Sequence, residues 1–380
     1  MSTPDLIFLA ATSFIAYTYA FYPAAIWALS RLRPTECAPL LADADCPAVT
    51  VVIAAHNEAG RVRARVDNLL GMDYPAGKLK LLFVSDGSTD DTAARLRQCA
   101  DSADIEVIEL SERRGKAHAL NAALAQVTTP VVLFCDMRQR AEPQALRVLA
   151  SSLMQGGVGA VSGELTHVEP GSQVAANIGL YWRYEKWIRK SESRWSSVVG
   201  ATGAFYAIRR EGFVPLAEGT MLDDFEIPMQ IARQGQRVLL DGRAVVFDEL
   251  QTDMSGERKR KLRTLGGNFQ SFARHPWLFS WRHNPVWLQF LSHKVFRLAV
   301  PYAMACALVS SLLSSSAPVV AMAGLQIAFY LAAALGSRGP AWRKNKLIAF
   351  ATVFVELNWT AMQAGIQFAL NRKGLTWEKT

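Results

Sequence analysis

The sequence predicts an α/β protein whose mostly parallel central sheet is flanked by transmembrane helices. Three observations carry this. Residues 48–136 alternate apolar, β-rich runs with helical periods, and long uncharged runs stand at both ends of the 380-residue chain. Polar side chains also gather just after the apolar runs of the middle part, where a parallel sheet opens its crevice.

The first element is LIFLAATSFIAYTYAFYPAAIWALS, residues 6–30, which carries no charge. As a helix it spans about 37 Å, more than a hydrocarbon core of about 30 Å requires. Asp5 and the lack of Lys or Arg before it argue against a signal peptide. A membrane span tolerates Pro23. Residues 1–33 are therefore read as an N-terminal transmembrane helix.

From residue 48 the pattern changes. AVTVVIAA, LKLLFVSD, IEVIEL and PVVLFCD read as strands, near-continuously apolar as buried parallel strands are. Between them lie helical patterns at about 57–70, in STDDTAARLRQCA, whose Ser and Thr suit capping, and in GKAHALNAALAQV. Strand and helix in alternation imply right-handed crossovers. The strands deliver HNE (56–58), SDGSTD (85–90) and CDMR (135–138) to one edge. No G-x-G-x-x-G follows the first strand and no P-loop occurs, which disfavours dinucleotide and Walker-type binding.

Further on, GLYWRYEKWIRKSESRW (179–195) mixes aromatic and basic residues at helical spacing. It reads as an interface helix, an acceptor-binding surface, or a helix packed on the sheet. Residues 273–297 look interfacial and amphipathic, and His283 and His293 there lack a matching carboxylate in the sequence. Residues 298–370 read as two or three transmembrane helices: a hairpin over 300–337 turning near Ser316–Pro318, then a span over 347–370 marked by Glu356 and Asn358. Residues 371–380 are a tail. Arg31 and Arg33 after the first span, and Arg338, Arg343, Lys344 and Lys346 after the hairpin, put the middle domain on the cytoplasmic side of a cell inner membrane.

Five cysteines form no metal-type pair, and the net charge of +8 follows the membrane flanks. Nucleic acid is not expected as a partner, because the basic stretches carry no binding motif.

The segments VVIAAHNE, VSDGSTDDT, RRGKAHALN and LFCD, followed by GATGAFYAIRR (200–210), MLDDFEIPMQIARQGQRV (221–238) and RKRKLRTLGGNFQ (258–270), resemble family-2 glycosyltransferases with the GT-A fold. The resemblance covers residues 48–272. The flanking spans suit the membrane-bound branch that includes cellulose, chitin and hyaluronan synthases. It implies transfer of a sugar from a nucleotide-diphospho-sugar to a hydroxyl of a glycan or lipid-linked acceptor, in surface or exopolysaccharide biosynthesis. Membrane lipids, and polysaccharide assembly or export proteins, are the other partners it implies.

The roles implied fall on particular residues. Asp86 and Glu58 would contact the nucleoside, and Lys116 the base or diphosphate. Asp136 matches the first acid of the D-x-D motif and would hold a divalent metal, Mg2+ or Mn2+. Arg138 stands where the second acid belongs, and would meet a donor phosphate instead. Asp224 in LDDF is the candidate general base and Asp223 the acceptor-positioning acid; paired acids also suit a helix N-terminus. Arg260 and Arg263 would hold diphosphate oxygens. Thr264 replaces the Trp that stacks on an acceptor sugar, which weighs against a cellulose-like polymer channel. The alternative reading, supported by Arg138, is a non-catalytic nucleotide-binding subunit that regulates a polysaccharide synthase complex.

Overall fold

The computed structural model describes residues 1–34, 37–100, 104–168, 173–249, 254–339 and 341–370. The tail read from 371–380 lies outside them.

The four strands read from the sequence are β1 (Val49–Ala55), β2 (Leu79–Asp86), β3 (Ile105–Leu110) and β4 (Val131–Cys135). Four more follow: β5 (Arg140–Ala141), β6 (Val158–Val168), β7 (Phe205–Arg209) and β8 (Arg237–Glu249). They form one sheet in the order β3-β2-β1-β4-β7-β6-β8-β5. Strands β3, β2, β1 and β4 are parallel, β7 runs antiparallel between β4 and β6, and β6 pairs parallel with β8. Val49, Val51, Val52 and Ile53 have no exposed surface, because helices cover both faces.

The domain helices are α2 (Val62–Leu70), α3 (Thr92–Ala100), α4 (Lys116–Gln126), α5 (Ala145–Leu153), α6 (Gln173–Trp195), α7 (Asp223–Arg233) and α8 (Met254–Arg274), after an N-terminal helix α1 (Thr3–Ser30). One core layer joins Ile53 and Phe83 to Leu69 and Leu149; the other joins Val52 and Val84 to Leu120 and Ile227. These layers clamp α2 and α5 to one face and α4 and α7 to the other.

Among the described residues four helices are long and apolar enough to cross a membrane: α1, α9 (Trp287–Leu312), α10 (Ala317–Ser337) and α11 (Lys346–Ala369). Helix α9 starts at Trp287 rather than 298, so residues 287–297 of the segment read as interfacial are its first turns. His293, Lys294 and Arg297 interrupt the hydropathy there, but they lie in the interior against α6. In α1, Pro23 has no N–H for the carbonyl of Tyr19. The turn over Tyr17–Phe21 widens, and the Tyr184 hydroxyl of α6 donates to that carbonyl at 2.7 Å. Helix α11 packs on α8, with Phe368 stacked on Phe269 at 5.9 Å.

Candidate active site

The crevice lies beyond the carboxyl ends of β1, β2 and β4, and short polar contacts fix its floor. His56 Nδ1 lies 2.7 Å from the carbonyl of Asp86. Asn57 sits at φ 53°, a left-handed backbone that Asn tolerates, and its Oδ1 accepts from the Thr89 N–H at 2.8 Å. Glu58 donates its N–H to Thr92 Oγ1 and accepts from Arg61 at 2.5 Å.

Asp86 is buried, and its two oxygens accept from the N–H groups of Arg114 and Gly115, each at 2.8 Å. This carboxylate, assigned to the nucleotide base by resemblance, therefore shapes the loop that presents Lys116. The loop lies directly on Gly87, where a Cβ would come within 2.3 Å of Arg113 N, so glycine is required.

Lys116 opens α4 and reaches across the crevice. Its Nζ stands 3.1 Å from Asp136 Oδ1, at the end of β4, and 3.1 Å from Asp223 Oδ2, at the start of α7. Burial opposes its charge, but Asp136 first, then Asp223 and Asp224, hold the ammonium above the usual lysine range. Asp224 behaves oppositely. Burial, then the charge of Asp223, push its carboxyl up to about 6 against the pull of Lys116.

A proline positions Asp224. Pro228 lies inside α7 and cannot donate to the carbonyl four residues back, which is that of Asp224. The freed carbonyl accepts the Ala201 N–H at 2.7 Å, docking the GATG loop on the helix. The loop's other side is held by Thr202 N–H on Ser162 Oγ at 2.8 Å. Gly203 then faces the carboxylate so closely that a Cβ there would stand 2.7 Å from Asp224 Oδ2. Sequence reading gave the GATG segment no role of its own and passed over Pro228, although Pro four residues after the acid was visible.

The guanidinium of Arg138 donates to Asp248 of β8 at 2.7 Å, and that carboxylate is buried. The ion pair forms because β8 brings an acid to the sheet edge beside Arg138, and the arginine side chain keeps 28 % of its surface open. Arg263, on α8, is held below the usual arginine range by burial, in the field of Asp136, Arg260 and Arg138. Arg260 lies one turn earlier on the same helix. Thr264 lines a separate cavity, described below.

A divalent ion finds one exposed carboxylate here. The Asp136 side chain keeps 38 % of its surface open, and one of its oxygens is free of Lys116. Among the described residues no group of three His, Cys, Asp or Glu side chains forms a cage. The residues fit an ion of the magnesium type, which uses one or two carboxylates plus substrate phosphates.

Five residues outside the sequence-derived set complete the picture. Glu185 and Glu192 of α6 meet His293 at 2.8 Å on its two ring nitrogens. Carboxylate oxygens accept, so a doubly protonated ring satisfies both contacts. Arg297 donates to Glu185 at 2.5 Å and Tyr22 of α1 to Glu192 at 2.5 Å. His293 does have matching carboxylates, but they come from over a hundred residues away and hold it as an ion-pair partner. Arg297 first, with His293, pulls Glu185 well below the usual carboxylate range against its burial.

Residues 50–214 match the profile of glycosyl transferase family 2. The poly-beta-1,6-N-acetyl-D-glucosamine synthase of Staphylococcus aureus (strain MSSA476) is 22 % identical over 232 residues, covering 60 % of this chain and 56 % of that protein. A probable glycosyltransferase of Bacillus subtilis (strain 168), YdaM, is 22 % identical over 215 residues, 54 % of this chain and 51 % of its own. The chain thus spans about half the length of these curated relatives. Among solved structures, the mannosyltransferase PcManGT from Pyrobaculum calidifontis, in complex with GDP-Man and Mn2+, superposes with a TM-score of 0.72 at 21 % identity. The match covers 97 % of this chain and 100 % of that one. The fold is GT-A, as the resemblance implied.

Proposed function

We propose that the protein is a membrane-anchored, inverting glycosyltransferase. It moves a sugar from a nucleotide-diphospho-sugar to a hydroxyl of a glycan or lipid-linked acceptor in surface or exopolysaccharide biosynthesis. The observation that supports this most is Lys116 bridging Asp136 and Asp223, with Asp224 beside them at the start of α7. A cation and three carboxylates converge in the crevice beyond the strand ends, where sheets of this kind take their ligands.

In this reading the diphosphate lies between Lys116 and the arginines of α8, Arg260 and Arg263. Glu58 and Asp86 border the nucleoside, Asp86 by shaping the loop before Lys116. Asp136 would hold Mg2+ or Mn2+, and that ion, when bound, would neutralise charge on the departing diphosphate. Asp223 positions the acceptor and keeps Lys116 extended. Asp224 takes the proton of the acceptor hydroxyl as its oxygen bonds to the anomeric carbon. The bond from that carbon to the diphosphate oxygen breaks on the opposite face, releasing a nucleoside diphosphate with inversion.

The relatives named as a polysaccharide synthase and a mannosyltransferase support the class of product and of donor. Assembly or export proteins are proposed as partners on that basis. The basic residues after α1 and α10 support a multi-pass inner-membrane protein with a cytoplasmic catalytic domain.

The test is the full chain in detergent with a panel of nucleotide sugars, followed by nucleoside diphosphate release with and without Mn2+ or Mg2+. Turnover with one donor, lost in Asp224→Asn, is expected. No turnover with any donor, together with an unchanged surface glycan in an Asp224→Asn strain, would instead point to the non-catalytic subunit.

A further inference from the structure

A cavity of about 660 Å³ lies where α6, α8, α9 and α11 meet beneath the GATG loop. Its floor includes Val199 and Ala201, next to the docking point on Asp224. On its membrane side it is lined by Leu298 of α9 and by Phe350, Phe354 and Leu357 of α11. Both helices are long and apolar enough to cross a membrane. The volume equals roughly twenty waters at about 30 Å³ each, room for a sugar, a charged linkage and the start of a chain.

The charges in its wall do not balance locally. Glu185 is taken by His293 and Arg297, and Glu192 by His293 and Tyr22. Two cations remain. Arg189 donates only to neutral groups, Thr202 Oγ1 at 2.9 Å and the Gly200 carbonyl at 3.3 Å. Lys294 lines the cavity with no hydrogen bond or ion pair among the described residues, close enough that its charge acts on Asp224. Unpaired cations in an apolar enclosure are costly, and an anion from outside offsets that cost.

Two further features point to a sugar beside that anion. Asn268 is 7 % exposed, and its Oδ1 has no hydrogen-bond partner while its Nδ2 donates to the Thr264 carbonyl at 3.0 Å. An orphaned amide oxygen on a cavity wall asks for a hydroxyl donor. Thr264 itself lines the cavity on α8, and its short side chain leaves room there.

We propose that this cavity is the acceptor site and that it takes an anionic glycolipid, a sugar joined to a lipid through phosphate or diphosphate. The sugar lies between Asn268 and Asp224, the phosphate oxygens sit on Lys294 and Arg189, and the chain leaves along Phe354 and Leu357. This rests on the reading of Asp224 as base for an acceptor hydroxyl, and it selects the acceptor class.

The test uses the full chain in phosphatidylcholine nanodiscs with three probes. They are a hexose on polyisoprenyl diphosphate, the same hexose on polyisoprenol without phosphate, and phosphatidylglycerol. The diphosphate probe should bind at least about tenfold tighter than the other two, the scale of a charge-assisted hydrogen bond. Lys294→Met and Arg189→Met should each erase about tenfold of that, and Thr264→Trp should block the probe. Nucleotide-sugar binding by the same variants reports that they are folded. Equal binding of the neutral glycolipid overturns the proposal, as does equal binding of phosphatidylglycerol. If sugar transfer proceeds to neutral acceptors and ignores Lys294→Met, the glycosyltransferase reading stands and this one falls. If no donor is turned over while the diphosphate probe still binds, the cavity's ligand class stands and its role as an acceptor site falls with the glycosyltransferase reading.

Discussion

The guanidinium of Arg138 donates a 2.7 Å hydrogen bond to the buried carboxylate of Asp248. Removing the arginine strands that carboxylate in the protein interior. Arg138→Ala should therefore lower stability by about 2–3 kcal/mol, below the full buried-pair range because Arg138 keeps some solvent contact. The thermal unfolding midpoint in detergent reads this. Arg138→Ala with Asp248→Asn should recover most of the loss, while a loss of donor affinity that survives in the double variant would give Arg138 a second, direct role.

Asp224 has its carboxyl raised to about 6. As a base it acts when ionised, so kcat/KM should fall as pH drops through about 6, rather than through the ordinary aspartate range near 4. A pH profile with saturating donor checks the midpoint. Asp224→Asn should cost about 10²–10⁴ in kcat and flatten that limb.

Lys116, ahead of Lys294, restrains this rise. Lys116→Met should leave Asp136, Asp223 and Asp224 facing one another, moving the acid limb of the profile to higher pH. It should also weaken donor binding by about tenfold, since a charge-assisted contact to the diphosphate is lost. An unmoved acid limb would separate Lys116 from Asp224 electrostatically.

Pro228 keeps the Asp224 carbonyl out of the helical ladder and available to Ala201. Pro228→Ala restores an N–H that competes for that carbonyl. Kcat should drop about tenfold while the unfolding midpoint holds or rises, because alanine favours the helix.

Gly203→Ala tests the same spot from the opposite wall. The new methyl would come within 2.7 Å of Asp224 Oδ2, and the carboxylate, a movable side-chain end, would swing away. The expected signature is a lower kcat with little change in donor affinity or in unfolding midpoint.

The strands β1 to β4 were legible because strands buried on both faces are written as apolar runs, and their boundaries matched closely. Strands β5 to β8 were not separately read. β7 inserts antiparallel between β4 and β6, and β8 carries Asp241, Arg243 and Asp248 among its apolar residues. The start of α9 was hidden for a related reason. His293, Lys294 and Arg297 look like an interface until Glu185 and Glu192 are brought against them. The crevice loops were legible as a collection, and Lys116, Asp136, Asp223 and Asp224 do converge. Arg138 could not be placed from sequence, since its partner Asp248 is more than a hundred residues away. Arg189 and Lys294 were unreadable as a pair, because only the packing of α6 on α9 joins them.

The network on α6 bears on how the protein can be handled. Cutting before residue 48 removes Tyr22 from Glu192, and removes the Tyr19 carbonyl that receives the Tyr184 hydroxyl. Cutting after residue 272 removes His293 and Arg297, the counter-charges of Glu185 and Glu192. A freed catalytic half would carry two uncompensated acids and an uncovered aromatic helix, the makings of an aggregating fragment. The long apolar helices complete the charge balance of the domain they flank, and the smallest well-behaved piece to express is the chain with those helices and an amphiphile around them.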